Sequence, residues 1–283
     1  MSRYPSKPTS KVRRVPGRPV HTQAPTSVKK RVRHQGARAD TEIVTAVDRA
    51  ARVLVAFSQS WDFLTLPEVA TRSGLSKATA FRILATLIAE GLVFQNAANG
   101  TYGLGALNLR LADIILSGID IRERARAAMR QVRKQINETV VLSIRDGDAC
   151  YHVDSFESTQ SISHSQPIGI PLPIHTVAPG RTMLASASDA DVDAYLKRLA
   201  PASRAAGRHL PQEIEKIRRQ GHAVSAGEAS GGGHTIAVAV PNPQGPAAAA
   251  LHISFPQGRF TNDLEQRCID ALKQAVSRIV EIK

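Results

Sequence analysis

The chain has 283 residues, 42% of them hydrophobic, which is material for one large core or two modest ones and excludes wholesale disorder. Aromatic residues make up only 4%, with a single tryptophan, which argues against platforms that stack several bases. The net charge of +13 is local: residues 1–39 hold 11 Lys/Arg and no Asp/Glu, so the remainder, with 26 basic and 24 acidic groups, is close to neutral.

Cys150 and Cys268 lie far apart and form no CxxC pair, so neither a disulfide framework nor a zinc knuckle is supported. The histidines show no metal-ligand spacing; His152 beside Cys150 starts a pair without a third ligand. No apolar run approaches the roughly 18 residues a membrane span needs, so the expectation is a soluble cytoplasmic protein without a membrane partner, metal or cofactor.

The first segment, residues 1–39, contains Pro5, Pro8, Pro16, Pro19 and Pro25 and almost no large apolar side chains. It cannot bury enough surface to offset the entropy of ordering and reads as a disordered basic tail. Its densest cluster, Lys29-Lys30-Arg31-Val32-Arg33, is either a polyanion-binding arm or a solvated tail.

Residues 40–105 read as a winged helix-turn-helix. Val47, Ala50, Val53, Leu54 and Phe57 recur at three- and four-residue spacing, giving one helix an apolar face. Thr65 followed by Glu68 is a capping box, with Pro67 in the first turn, and that second helix ends near Ser73-Gly74. Ser76 is a good N-cap for a third helix, Lys77 to Glu90, whose expected buried stripe is Phe81, Leu84, Leu87 and Ile88. Residues 92–95 and 101–104 flank an Asn-Gly turn and read as a β-hairpin. A helix so placed enters the major groove of double-stranded DNA with its N-terminal side chains toward base edges. The candidate DNA-binding residues are therefore Ser76, Lys77, Thr79 and Arg82 of the third helix, with Asn99 at the wing turn. The module itself carries 5 basic and 6 acidic groups, so affinity must come from placed contacts, dimerisation or the tail.

The run LSKATAFRILATLIAEGLV (Leu75 to Val93), followed by TYGLG (Thr101 to Gly105), resembles the IclR family of bacterial transcriptional regulators. The resemblance covers about residues 42–282. It implies an N-terminal winged helix joined to a C-terminal effector-binding domain, in homodimers or homotetramers.

Residues 106–119 form a linker helix with Leu107, Leu109, Leu111, Ile114, Ile115 and Leu116 on more than one face. It packs either between subunits, as the resemblance also implies, or inside its own chain. Residues 120–283 begin with a charged helix and a hairpin around Asp146-Gly147, followed by Ile162 to Gly169 read as a strand. A loop into helix (Leu172 to Leu184), two further helices (Ala190 to Leu199 and Pro211 to Gln220), two strands (Thr235 to Val240 and Ala248 to Phe255) and a last helix complete an α+β domain with an antiparallel sheet. It resembles the GAF-like effector domain of the family. Carried across from the family position by position, the effector-binding residues are Ala178, Pro179, Ser225, Thr235, His252 and Ser254.

Ser225, Thr235 and His252 depart from the family's usual residues, and Pro179 removes a backbone donor from a helix N-terminus suited to an anion. His252, Thr235 and Ser254 form a hydrogen-bonding set suited to a small organic acid, unless they are ordinary strand residues. Gly231-Gly232-Gly233 is not a phosphate-binding fingerprint and reads as a lid or turn near the pocket. No nucleophile elbow appears, so catalysis is not expected. The whole reads as a DNA-binding regulator controlled by a small organic effector. An effector-free architectural DNA binder and an enzyme acting on a small carboxylate are the alternatives.

Overall fold

A computed structural model describes residues 43–59, 63–199, 209–227 and 232–281. The basic tail, Trp61 and Gly231 of the glycine run lie outside the described residues.

Three helices and a hairpin come first: α1 (Thr45–Ala56), α2 (Leu66–Ser73), α3 (Lys77–Ala89), β1 (Val93–Gln95) and β2 (Tyr102–Leu104). The caps are those the sequence predicts. The Thr65 hydroxyl accepts from the Glu68 N–H, and the Glu68 carboxylate accepts from the Thr65 N–H at 2.8 Å. α2 stops at Gly74, whose φ of 66° is a left-handed conformation that glycine adopts without strain. Ser76 opens α3, its Oγ accepting from the Thr79 N–H at 3.2 Å.

Val53, Leu64, Val69, Ala80, Leu84 and Leu87 fill the small core between these elements. Three side chains expected there are not in it: Val47, Phe81 and Ile88 are 66%, 55% and 36% exposed. Ala80, Leu84 and Leu87, with Ile83 beside them, already line the arc of α3 that meets α1 and α2, so no room remains. α4 (Leu107–Ser117) is less covered still. Leu109, Leu111, Ile114 and Ile115 are 46–75% exposed, so this helix is not buried inside its own chain.

The C-terminal part is a six-stranded antiparallel sheet between two helical layers. Its strands are β3 (Thr139–Asp146), β4 (Ala149–Phe156), β5 (Leu172–Pro173), β6 (Ala223–Gly227), β7 (Gly233–Asn242) and β8 (Gly245–Pro256). They lie in the order β5-β4-β3-β8-β7-β6. Alternation along each strand separates the faces. Val140, Leu142, Ile236, Leu251 and Ile253 point to one side, against α5 (Asp120–Ile136) and α9 (Asn262–Glu281). α5 meets them with Ala125, Ala128, Met129, Val132 and Ile136, a single helical stripe. The other side is covered by α6 (Ala178–Ala185), α7 (Asp189–Arg198) and α8 (Leu210–Gln220), packed on Cys150, Ala223, Ala237 and Ala250.

Two elements differ from the sequence reading. β6, unpredicted, adds an edge by pairing with β7. Residues 162–169, expected as a strand, form a loop instead. Pro167 has no N–H for a ladder, and the two-residue β5 takes the edge of β4.

Candidate functional site

Two surfaces gather the residues singled out by sequence. The first is the outward side of α3 with the wing. Lys77 and Arg82 are exposed, and Ala80, Leu84 and Leu87 point away from Arg82. Ser76 and Thr79 bond to each other, hydroxyl to hydroxyl at 2.9 Å, so both are partly engaged in the cap. A groove of about 350 Å³ runs between α1 and α3, lined by Arg49, Thr79, Arg82 and Thr86 among others. Arg49 of α1 therefore joins the set.

Asn99 turns out to shape the wing. Its Oδ1 accepts from the N–H and hydroxyl of Thr101, at 3.1 and 2.7 Å. The turn closes at Gly100, φ 71°. Residues 95–101 include no Lys or Arg, so the tip has hydrogen bonds rather than charge to offer a duplex.

The second surface is the α6 side of the sheet, where the small apolar residues give way to a rank of buried polar ones. Ser143, His152, Ser225, Thr235, His252 and Ser254 are each at most 8% exposed. A bulge in β4 makes this possible. Ser143 opposes His152 while Leu142 opposes Asp154, so the register slips between them. His152 is thereby turned to the polar face. Asp154 is left to pair with Arg126 of α5 at 2.7 Å.

The hydrogen bonds join these residues into two neighbouring groups. Thr235 and Ser254 are register partners with hydroxyls 3.0 Å apart, and Ser225 sits opposite Thr235 on the next strand. Ser143 Oγ lies 2.9 Å from His152 Nδ1 and 3.3 Å from His252 Nδ1. From above, the loop of residues 157–171 brings two more groups. Gln166 Nε2 donates to Ser254 Oγ at 3.1 Å, and His164 Nδ1 stands 3.0 Å from that same oxygen. Gly233 leaves room for this packing, since a Cβ there would come within 2.6 Å of His164 Nε2 and displace the imidazole. That is the role of the last glycine of the run read as a lid.

The loop is pinned at its base by Asn137 and Glu138. Asn137 ends α5 with φ 55° and accepts from Ser158, Thr159 and Gln160. Glu138, 2% exposed, takes both prongs of Arg259 at 2.6 and 2.5 Å, and Arg259 also donates to the Ile162 carbonyl.

Burial decides the protonation of the rank. It pushes His152 down to about 4 and His252 well below the ordinary imidazole value, where His152 and His164 add repulsion. Cys150, beside Ser143, is pushed up to about 12 by burial and stays a thiol. The two strand histidines are thus neutral, set among hydroxyl and amide groups. Of the six residues carried from the family, Thr235 and Ser254 touch, Ser225 adjoins them by register, and His252 belongs to the neighbouring Ser143–His152 group. Ala178 and Pro179 open α6 on the same side and bring only backbone polarity. Sequence missed Ser143, His164 and Gln166, and weighed His152 only as a metal ligand. The polar alternation of Ser143, His152, His252 and Ser254 inside apolar strands was the signal available.

Comparison with known proteins follows the same division. Residues 46–97 match the IclR helix-turn-helix domain, and residues 114–281 match the family described as bacterial transcriptional regulator IclR C-terminal. The HTH-type transcriptional regulator XynR of Escherichia coli is 29% identical over 238 residues, covering 82% of this chain and 94% of that protein. The regulator KipR of Bacillus subtilis is 28% identical over 223 residues, covering 76% and 88%. The crystal structure of an IclR transcriptional regulator from Alicyclobacillus acidocaldarius superposes with a TM-score of 0.71 at 26% identity, covering 84% of this chain and 98% of that one.

Proposed function

The chain belongs to the IclR family of bacterial transcriptional regulators, and from that premise we propose that it is a cytoplasmic, homo-oligomeric DNA-binding regulator whose C-terminal part binds a small organic acid. Binding, not catalysis, is its activity. Lys77, Thr79, Arg82 and Arg49 contact the duplex, and Ser76 and Asn99 hold the recognition helix and the wing in shape.

The observation that carries the effector reading is the polar rank on a face otherwise closed by helices. A buried hydroxyl or imidazole is retained against its desolvation cost only where it is hydrogen-bonded. Here the partners are each other and a loop, an arrangement that a ligand oxygen can enter by exchange. The Thr235 and Ser254 hydroxyls are donors for a carboxylate, and the imidazoles of His152 and His252 add N–H groups without adding charge. Ala178 and Pro179 would supply an apolar wall for the rest of the molecule.

The exposed leucines and isoleucines of α4 support association of copies, which two recognition helices need in order to reach half-sites about one helical turn apart. Effector binding need favour one arrangement of the subunits by only about 1–3 kcal/mol to switch DNA affinity. The test is a thermal-shift screen against small aliphatic and aromatic acids. A concentration-dependent rise with one chemical class is expected. It should be diminished by Ser254→Ala, and DNA must change the acid's affinity by the same factor as the acid changes that of DNA. A flat response to millimolar concentrations would overturn the effector reading.

A further inference from the structure

We propose that Phe81 is a base-reading residue and that the base it reads is thymine, through the 5-methyl group; this rests on the DNA-binding assignment above. Phe81 was expected in the core, yet it is 55% exposed at the middle of α3. The core beneath is complete without it, closed by Ala80, Leu84 and Leu87. At 100° per residue, Ala78, Phe81 and Ala85 fall on one stripe, and all three are exposed. Lys77 borders this stripe on one side and Arg82 on the other, both also exposed.

The outward face of the recognition helix is therefore an apolar strip between two cations. The flanking charges suit phosphates or guanine edges. The strip has no donor or acceptor in its side chains, so it cannot answer the polar edges of guanine, cytosine or adenine. Thymine alone offers a hydrocarbon group in the major groove, and phenylalanine and alanine are suited to contact it. A solvent-facing phenylalanine there has a physical reason once its methyl partner is supplied by the duplex, since both surfaces leave water together.

The experiment begins by selecting high-affinity duplexes from a randomised library with the full-length protein. Each thymine of the selected site is then replaced by deoxyuridine, which removes the methyl and keeps every hydrogen-bonding group. Binding to each duplex is measured for the wild type and for Phe81→Ala. For the wild type, at least one position per half-site should weaken by about fourfold on loss of the methyl, the weight of one buried methyl group. Phe81→Ala should bind the thymine and uracil forms of that site alike, at an unchanged melting temperature.

A selected site with no uracil-sensitive position overturns the proposal and leaves the DNA-binding reading intact, and this requires no variant. Full uracil sensitivity retained in Phe81→Ala assigns the methyl contact elsewhere and overturns it equally. Failure to select any sequence would remove the DNA-binding reading together with the proposal.

Discussion

His152 of β4 and His252 of β8 approach the Ser143 hydroxyl from the two strands that flank β3, with ring centroids 5.0 Å apart. Two imidazoles this close and this buried cannot both be charged. The repulsion and the desolvation act in the same direction. His152 and His252 are consequently held in their neutral forms by their own geometry.

A pH dependence follows. Both histidines have folded values depressed below the unfolded value of about 6.5, so the unfolded chain takes up protons first as pH falls. Their contribution is fully present above about pH 6.5 and is lost on acidification, for His152 down to about pH 4. The His152 share is about 3 kcal/mol over that window. Urea unfolding measured at pH 7.5, 6, 5 and 4.5 should show it, and His152→Asn should flatten the slope. Equal slopes for the two proteins would refute the assignment.

Glu138 and Arg259 tie the loop that carries His164 and Gln166 to the end of α5. Glu138→Gln removes the buried charge that holds the Arg259 fork and weakens the base of the loop. Breaking a buried pair from one side costs about 3–5 kcal/mol, and partial exposure of Arg259 lowers the expectation here to about 2–3 kcal/mol. Chemical denaturation measures the loss, and limited proteolysis should find new cleavage between residues 157 and 171. Wild-type stability together with an unchanged digestion pattern would remove the anchoring role.

Arg82→Ala should weaken binding to a selected duplex by roughly tenfold or more, the loss of one charge-assisted contact of about 1.5–3 kcal/mol. Because Arg82 is exposed and lies off the core of α3, its melting temperature should stay within about a degree or two of the wild type, as for a surface substitution. A variant that melts much earlier would mean that the arginine is structural.

Ile115→Glu places a charge on the exposed apolar face of α4. If that face joins two copies, sedimentation should show dissociation at concentrations where the wild type is associated, and DNA affinity should fall with it. An unaltered sedimentation profile would separate α4 from the interface.

Much of the N-terminal fold was legible in order, because its signals are local. Thr65, Glu68, Gly74 and Ser76 fix helix ends through contacts within a few residues, and Asn99-Gly100 fixes the wing in the same way. The C-terminal hairpin around Gly147 and the long strands β7 and β8 were legible for similar reasons. β6 was not, because a five-residue edge acquires its structure only from the strand it pairs with. Residues 162–169 were misread because their alternation serves a loop that points His164 and Gln166 at a sheet.

The sequence by itself determined the class of the protein, the order of its N-terminal elements and where its recognition helix starts, since caps, turns and apolar periodicity are short-range properties of the chain. Tertiary structure alone decided that Phe81 faces out while Ala80 faces in, because that depends on how much of α3 its neighbours cover. It also decided that Ser143, His152, His164 and Gln166 meet the family-derived Thr235, His252 and Ser254. Those residues come from separate strands and a loop, and only sheet register, one bulge and the Glu138–Arg259 tie bring them within hydrogen-bonding distance.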